Sequence, residues 1–306
     1  MNKLTNQRAY EDIFQIENMP TSCLLCQTGK LEKLGHVIPK FVMRWLKEAS
    51  KHKSFYFNND QKVFDTPAFR MMCNTCEAKL STLEKYFTDN IFKKYYRKKS
   101  PNPIQDDVYN FAISIAWRLI VFTERLKSTQ PQQQAFKSTY ALSESLMRDY
   151  LNGKIKSCEH SVYALPIENL TKNISKDKID EHALNYSIRQ GLKAHRFKDE
   201  INNKDLSLRR IPTIHFKLGC YYFLIFPDNY FAGAEFSIES TKISKSKELH
   251  LLEYTPDLLG FMDWLMEPGL FEINVKDLAP TNYIHRNSQT LWDISFGSKR
   301  AQKSSE

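Results

Sequence analysis

Two Cys-x-x-Cys pairs, Cys23-Leu-Leu-Cys26 and Cys73-Asn-Thr-Cys76, constrain this chain more than any other feature. Thiols spaced this way converge on one point when the first pair sits in a tight turn and the second opens a helix. Four thiolates at the corners of a tetrahedron are the donor set of a structural Zn2+ site. The 46 residues between Cys26 and Cys73 exceed what a compact ribbon needs. They suit a treble clef, whose body is the intervening chain. The bland alternative is two coincidental pairs of buried thiols. Residues 1–17 are polar and mixed in charge, and no apolar run approaches the roughly eighteen residues of a membrane span, so we expect a cytoplasmic protein with no membrane partner. In a reducing compartment the six cysteines (Cys158 and Cys220 are the others) read as metal ligands and isolated thiols, not as a disulfide framework.

Charge sharpens the division of the chain. Residues 1–100 hold 18 Lys and Arg against 10 Asp and Glu, while residues 101–306 hold 26 against 25. Almost all of the net +9 therefore accompanies the cysteine pairs. A local positive field of that kind attracts phosphate backbones regardless of their sequence, and nucleic acid is the expected partner. A merely solubilising surface would look the same. The densest basic run supplies the candidate phosphate contacts: Lys93, Lys94, Arg97, Lys98 and Lys99.

The pattern predicts an α+β chain in four stretches: a zinc-binding domain (1–100), a helical region (101–205), an α/β region with a small antiparallel sheet (206–296) and a disordered tail (297–306). Helical spacing is expected over Pro39–Ser50, and from Cys76 to Phe92 with Leu80, Leu83, Phe87 and Ile91 on one face. Strand-like pieces surround Phe55 and Phe69. A buried helix should run from about Gln105 to Lys127. A linker at Gln130–Gln134 then leads into an amphipathic helix ending near Leu151. Residues 166–205 read as polar and partly helical. Ile211–Leu218, Cys220–Phe226 and Phe231–Ile238 read as strands, and Pro256–Met266 as a helix. Cys158-Glu-His160 reads as a surface loop, His195 as exposed and His215 as a core histidine. Residues 101–296 carry no motif of their own, which leaves regulation or a protein partner as their role.

Between the cysteine pairs lies Leu34-Gly-His-Val-Ile-Pro39. With the flanking cysteines, this stretch resembles the HNH, or ββα-metal, endonuclease superfamily over residues 20–92. His36-Val-Ile-Pro-Lys-Phe-Val, Arg44-Trp-Leu-Lys and Cys73-x-x-Cys-Glu-x-x-Leu-Ser-x-x-Glu84 are similar to bacterial HNH-like proteins in particular. The resemblance implies that His36 is a general base that activates water against a phosphodiester. It also implies a divalent metal, Mg2+ or Mn2+, at the leaving oxygen. The family's metal-binding aspartate falls on Gly35, its middle asparagine falls on Ala68 and Phe69, and its last ligand falls on Glu77.

Helical geometry offers a repair. Glu77, Ser81 and Glu84 lie at i, i+4 and i+7 on one stripe, so two carboxylates can face His36 and hold a hard cation. The competing account has Glu77 capping the N-terminus of the helix, favoured by its dipole, Glu84 solvated and His36 packed as a structural histidine. The leading expectation is thus an HNH-like nuclease acting on DNA or RNA. By analogy with HNH effectors it would serve prokaryotic antiviral defence or act as a toxin. The alternative is a catalytically inactive zinc-dependent module that binds nucleic acid or protein. A structural zinc domain attached to some other enzyme in residues 101–306 also stays open.

Overall fold

The computed structural model describes residues 16, 18–42, 44, 55–57, 61–63, 66–96, 106–125, 132–166, 190–197, 209–218, 221–228, 242–246 and 249–252. The fold is α+β, as the pattern predicts. Strand β1 (Gly35–His36) pairs antiparallel with β4 (Ala68–Phe69), Gly35 opposite Phe69 and His36 opposite Ala68. Between them, β2 (Phe55–Phe57) and β3 (Gln61–Val63) form a separate antiparallel pair. Two further bonds pin this ribbon. Val37 N–H donates to Pro67 O at 2.9 Å, and the Thr66 hydroxyl donates to Ile38 O at 2.8 Å.

Helix α1 (Asn74–Phe87) starts at Cys73, whose extended backbone (φ −76°, ψ 164°) makes it the N-cap. It passes through a wide π-turn (Thr88–Phe92) into a last short turn, α2 (Lys93–Tyr96). Leu80, Phe87 and Ile91 are buried as the spacing requires, while Leu83 is only half-buried. The π-turn adds one residue to the turn, so the adjacent Ile91 and Phe92 both face inward.

Helix α3 (Asp106–Thr123) is buried along almost its whole length from Val108 to Phe122 and occupies the centre of the molecule. It packs against α1, against α4 (Gln132–Asn152) and against the large sheet, which is why no polar face is needed. Phe87 of α1 stacks on Phe111 of α3, ring centroids 4.3 Å apart and planes at 14°. One apolar cluster runs from Cys23 and Leu25 through α1, α3 and α4 to Ile225. Truncating a ring at such a position typically costs about 3–5 kcal/mol. Helix α4 turns Tyr140, Ser143, Met147 and Leu151 inward at i, i+3, i+7 and i+11. It ends in a Schellman motif: Gly153 takes φ +76°, Gly153 N–H reaches Tyr150 O at 2.8 Å and Lys154 N–H reaches Asp149 O at 2.9 Å.

The large sheet has six strands: in chain order β5 (His160–Pro166), β6 (Gln190–Phe197), β7 (Arg209–Leu218), β8 (Tyr221–Pro227), β9 (Lys242–Ser246) and β10 (Leu249–Leu252). They lie side by side as β6-β7-β8-β5-β10-β9. The aromatic run Tyr221–Phe226 is buried along its whole length, as befits an inner strand covered on its faces. Phe216 of β7 stacks on Phe223 of β8, and His215 is buried in β7 as expected.

Several expectations are corrected. The sheet is larger than expected and not purely antiparallel, because β10 returns beside β5 in parallel, Leu249 opposite Val162. The polar stretch read as partly helical contributes β6, which pairs with β7 from Gln190↔Phe216 to Phe197↔Arg209. Non-local pairing overrides weak local preference there. Cys158 and His160 are not on a surface loop. His160 is buried at the start of β5, its Nδ1 2.6 Å from Cys158 O and its Nε2 3.0 Å from Ser143 Oγ. Local partners satisfy its ring, so a polar residue enters the core at low cost. Gln132–Gln134 belong to α4 and not to a linker, in line with glutamine's good helix propensity. Phe231–Ile238, Pro256–Met266, Cys220, the tail from 297 and the side chain of His195 lie outside the described residues. Among the described residues, no helix is long and apolar enough to cross a membrane.

Candidate functional site

The four cysteines meet. Their sulfur atoms all lie within 4.8 Å of one another, and Cys26 Sγ is 3.8 Å from Cys73 Sγ. The first pair rides a tight turn: Gln27 N–H donates to Cys23 O at 2.7 Å, Cys23 N–H to Gly29 O at 2.8 Å, and Gln27 takes φ +67°. Backbone N–H groups point at the sulfurs, Cys26 N at 3.4 Å from Cys23 Sγ and Gly29 N at 3.3 Å from Cys26 Sγ. Position 29 has to be glycine for a steric reason. A Cβ there would lie 2.6 Å from Cys73 Cβ and 2.7 Å from its sulfur. The turn is docked onto the rest of the molecule by Leu24 N–H to Met71 O (2.8 Å) and by Asn152 Nδ2 to Leu25 O (2.6 Å).

The thiols do not share one electrostatic fate. Burial pushes Cys26 up, but the backbone N–H groups of Thr28 and Gly29, the Thr28 hydroxyl and Cys23 outweigh it and bring Cys26 down to about 6. Burial pushes Cys23 up, and it pushes Cys76 up strongly, with the neighbouring thiols adding to the rise at Cys76. One thiolate is welcome in this cluster and four are not unless a cation joins them. The donor set therefore suits a metal ion such as zinc.

Immediately beyond the cluster, α1 carries Glu77 and Glu84 toward β1. Gly35 is buried, and a Cβ on it would lie 2.2 Å from Glu77 Oε1. The Glu77 carboxylate thus lies over the very residue where the resemblance expects an aspartate, next in sequence to His36. Its Oε1 is buried and has no hydrogen-bond partner among the described residues. Burial pushes the Glu77 carboxyl up, Arg118 opposes this most, Glu84 adds to it, and His36 and Lys33 oppose it. His36 sits half-buried at the end of β1. Glu84 is not simply solvated: Arg118 Nη1 lies 2.6 Å from its Oε1 and 3.2 Å from His36 O. Cys73, the N-cap of α1, makes no side-chain capping bond. His36, Glu77 and Glu84 do not gather as a three-donor metal group; among the described residues only the four cysteines do.

Of the basic run, Lys93 is exposed and pairs with Asp89 at 2.6 Å, and Lys94 approaches Asn90 Oδ1 at 3.4 Å. Arg97, Lys98 and Lys99 lie outside the described residues. The expected site omits Arg118, Gly29 and Asn152. A signal for Arg118 exists, since it is the only charged residue among the apolar positions 108–123. The chain matches no family model, no curated protein and no solved structure.

Proposed function

We propose that this chain is an HNH-like, metal-dependent nuclease whose N-terminal part is a treble clef closed by zinc on Cys23, Cys26, Cys73 and Cys76. One observation carries the reading: the Glu77 carboxylate covers Gly35 beside His36. The carboxylate missing from the strand is supplied by the helix. His36 takes the proton from an attacking water, and Glu77 offers a carboxylate oxygen to a hard cation next to the phosphodiester. Mg2+ or Mn2+ suits so small a donor set, because such ions keep waters and bind through one or two carboxylates plus substrate phosphate. When bound, the cation neutralises charge developing on the leaving oxygen. Glu84, held by Arg118, backs the pair from two turns further along α1. Lys93, Lys94, Arg97, Lys98 and Lys99 contact the nucleic-acid backbone, following the charge excess of residues 1–100.

A second reading has its own observation. Arg118 already neutralises Glu84 and is the strongest opposing charge on Glu77, so the acidic cluster has an internal cation. That favours a module which binds nucleic acid or protein without cutting. One assay separates the two: wild type beside His36→Ala, on single- and double-stranded DNA and RNA, with Mg2+ or Mn2+. The nuclease reading expects cleavage by wild type and a loss of about 10²- to 10⁴-fold in the variant, with metal content and nucleic-acid binding kept. Retained binding without cleavage in both proteins establishes the second reading instead.

A further inference from the structure

We infer that Arg118, on α3 and outside the stretch that resembles any nuclease, is a positioning residue for this site, acting through His36 and Glu84. The inference rests on the nuclease reading and extends the site into the central helix. Arg118 is about as buried as a residue can be, with 2% of its side chain exposed. A cation in that place is costly unless its partners are fixed. Its Nη1 serves two acceptors at once, the backbone oxygen of His36 at 3.2 Å and Glu84 Oε1 at 2.6 Å. One acceptor belongs to β1 and the other to α1, so a single guanidinium sets the spacing between the strand bearing the imidazole and the helix bearing the carboxylates.

That clamp matters because β1 is short. It has two residues and one ladder neighbour, β4. The remaining nitrogens of Arg118, Nε and Nη2, are shielded and without hydrogen-bond partners among the described residues, as is Glu77 Oε1. Unmatched polar atoms in an interior region call for an explanation beyond packing. Packing by itself would be served by leucine or methionine at position 118, as it is by Ile115 and Leu119 nearby on α3. A permanently charged guanidinium whose Nη1 reaches an acceptor on each of two elements is what arginine adds.

The test compares kcat and KM for cleavage by wild type, Arg118→Met and Arg118→Lys, each checked for folding and metal content, with hydrogen exchange followed at residues 35–37. Methionine keeps the volume, and Glu84, partly exposed, can turn to water. We expect Arg118→Met to lose about a hundredfold in kcat, the typical cost of a misplaced reacting group, with KM little changed and exchange at 35–37 accelerated. Arg118→Lys, which keeps the charge without the planar guanidinium, should fall between. Wild-type kcat in a folded, metal-loaded Arg118→Met overturns the inference. Should that variant not fold, wild-type kcat in Arg118→Lys overturns it and a slowed kcat supports it. If wild type itself does not cleave, the nuclease reading fails and this role falls with it; cleavage by wild type with an unslowed variant sinks the positioning role alone.

Discussion

Two clusters of chemically active side chains flank the first turns of α1, and they solve the problem of crowded charge in opposite ways. At Cys23, Cys26, Cys73 and Cys76 the donors converge within 4.8 Å. At His36, Glu77 and Glu84 the donors do not converge, and the buried Arg118 stands among them. The first arrangement could hold a metal ion such as zinc. The second balances much of its own charge and keeps one carboxylate oxygen unmatched.

The largest test of this contrast is metal removal. Chelation should unfold residues 20–92, because the binding free energy of a structural four-ligand zinc site, about 10–16 kcal/mol in small domains, is largely folding energy. Circular dichroism with elemental analysis reads it. Protein isolated without metal yet fully folded would break the contrast. Addition of Mg2+ to the metal-depleted chain should not restore the fold.

Acid should act on the cysteine cluster next most strongly. Cys23 and Cys76 are both pushed up, so at neutral pH they bind protons when no metal is present, while Cys26, at about 6, is already ionised. Metal binding then displaces at least two protons. Affinity should fall about a hundredfold for each unit the pH drops near neutrality, and rise as pH increases. Competition titration against a chelator at several pH values gives the slope, and a slope near zero contradicts the ionisation pattern.

The two glycines give a finer comparison. Gly29→Ala meets Cys73 Cβ and sulfur, which cannot move without breaking the cluster, so it should cost about 1–3 kcal/mol and weaken metal retention. Gly35→Ala meets the far end of Glu77, a flexible side chain that can swing aside. Its stability cost should be smaller, under about 1 kcal/mol, while the carboxylate leaves His36. Denaturant melts rank the two, and cleavage should suffer in Gly35→Ala despite its milder melt. Equal melts for the two variants would erase the distinction between a rigid and an adjustable cluster.

Local features were legible in the chain itself. Cys-x-x-Cys spacing identified four sulfur donors, and helical periodicity found α1 and α3 almost to their ends. The Phe55 and Phe69 pieces are strands, and His215 is buried. What escaped depended on distant pairing. Arg118 meets His36 across 82 positions of chain, and no window of sequence reveals that encounter. The parallel return of β10 to β5 is equally non-local. Cys158 and His160 looked solvent-facing because a short polar stretch carries no sign of the tyrosine and serine that receive it, Tyr109 and Ser143. Gly35 was legible only as a missing aspartate; its meaning came from the carboxylate that folds over it.

The bond from Asn152 to Leu25 O bears on the order in which the molecule assembles. Its partners are 127 positions apart, with α3 between them and Asn152 itself at the end of α4. During synthesis the cysteine cluster can close as soon as residue 76 emerges, long before that bond is available, since chains fold from the N-terminus as they appear. The early metal-bound unit must then wait with Val37, Leu80 and Phe87 uncovered until α3 arrives to bury them. Loop closure over so many residues adds little to the final free energy but much to the waiting time. Premature termination between residues 96 and 106 should therefore yield a metal-loaded fragment with an adhesive apolar face, and aggregation of that fragment is the cost of forming the most local part first.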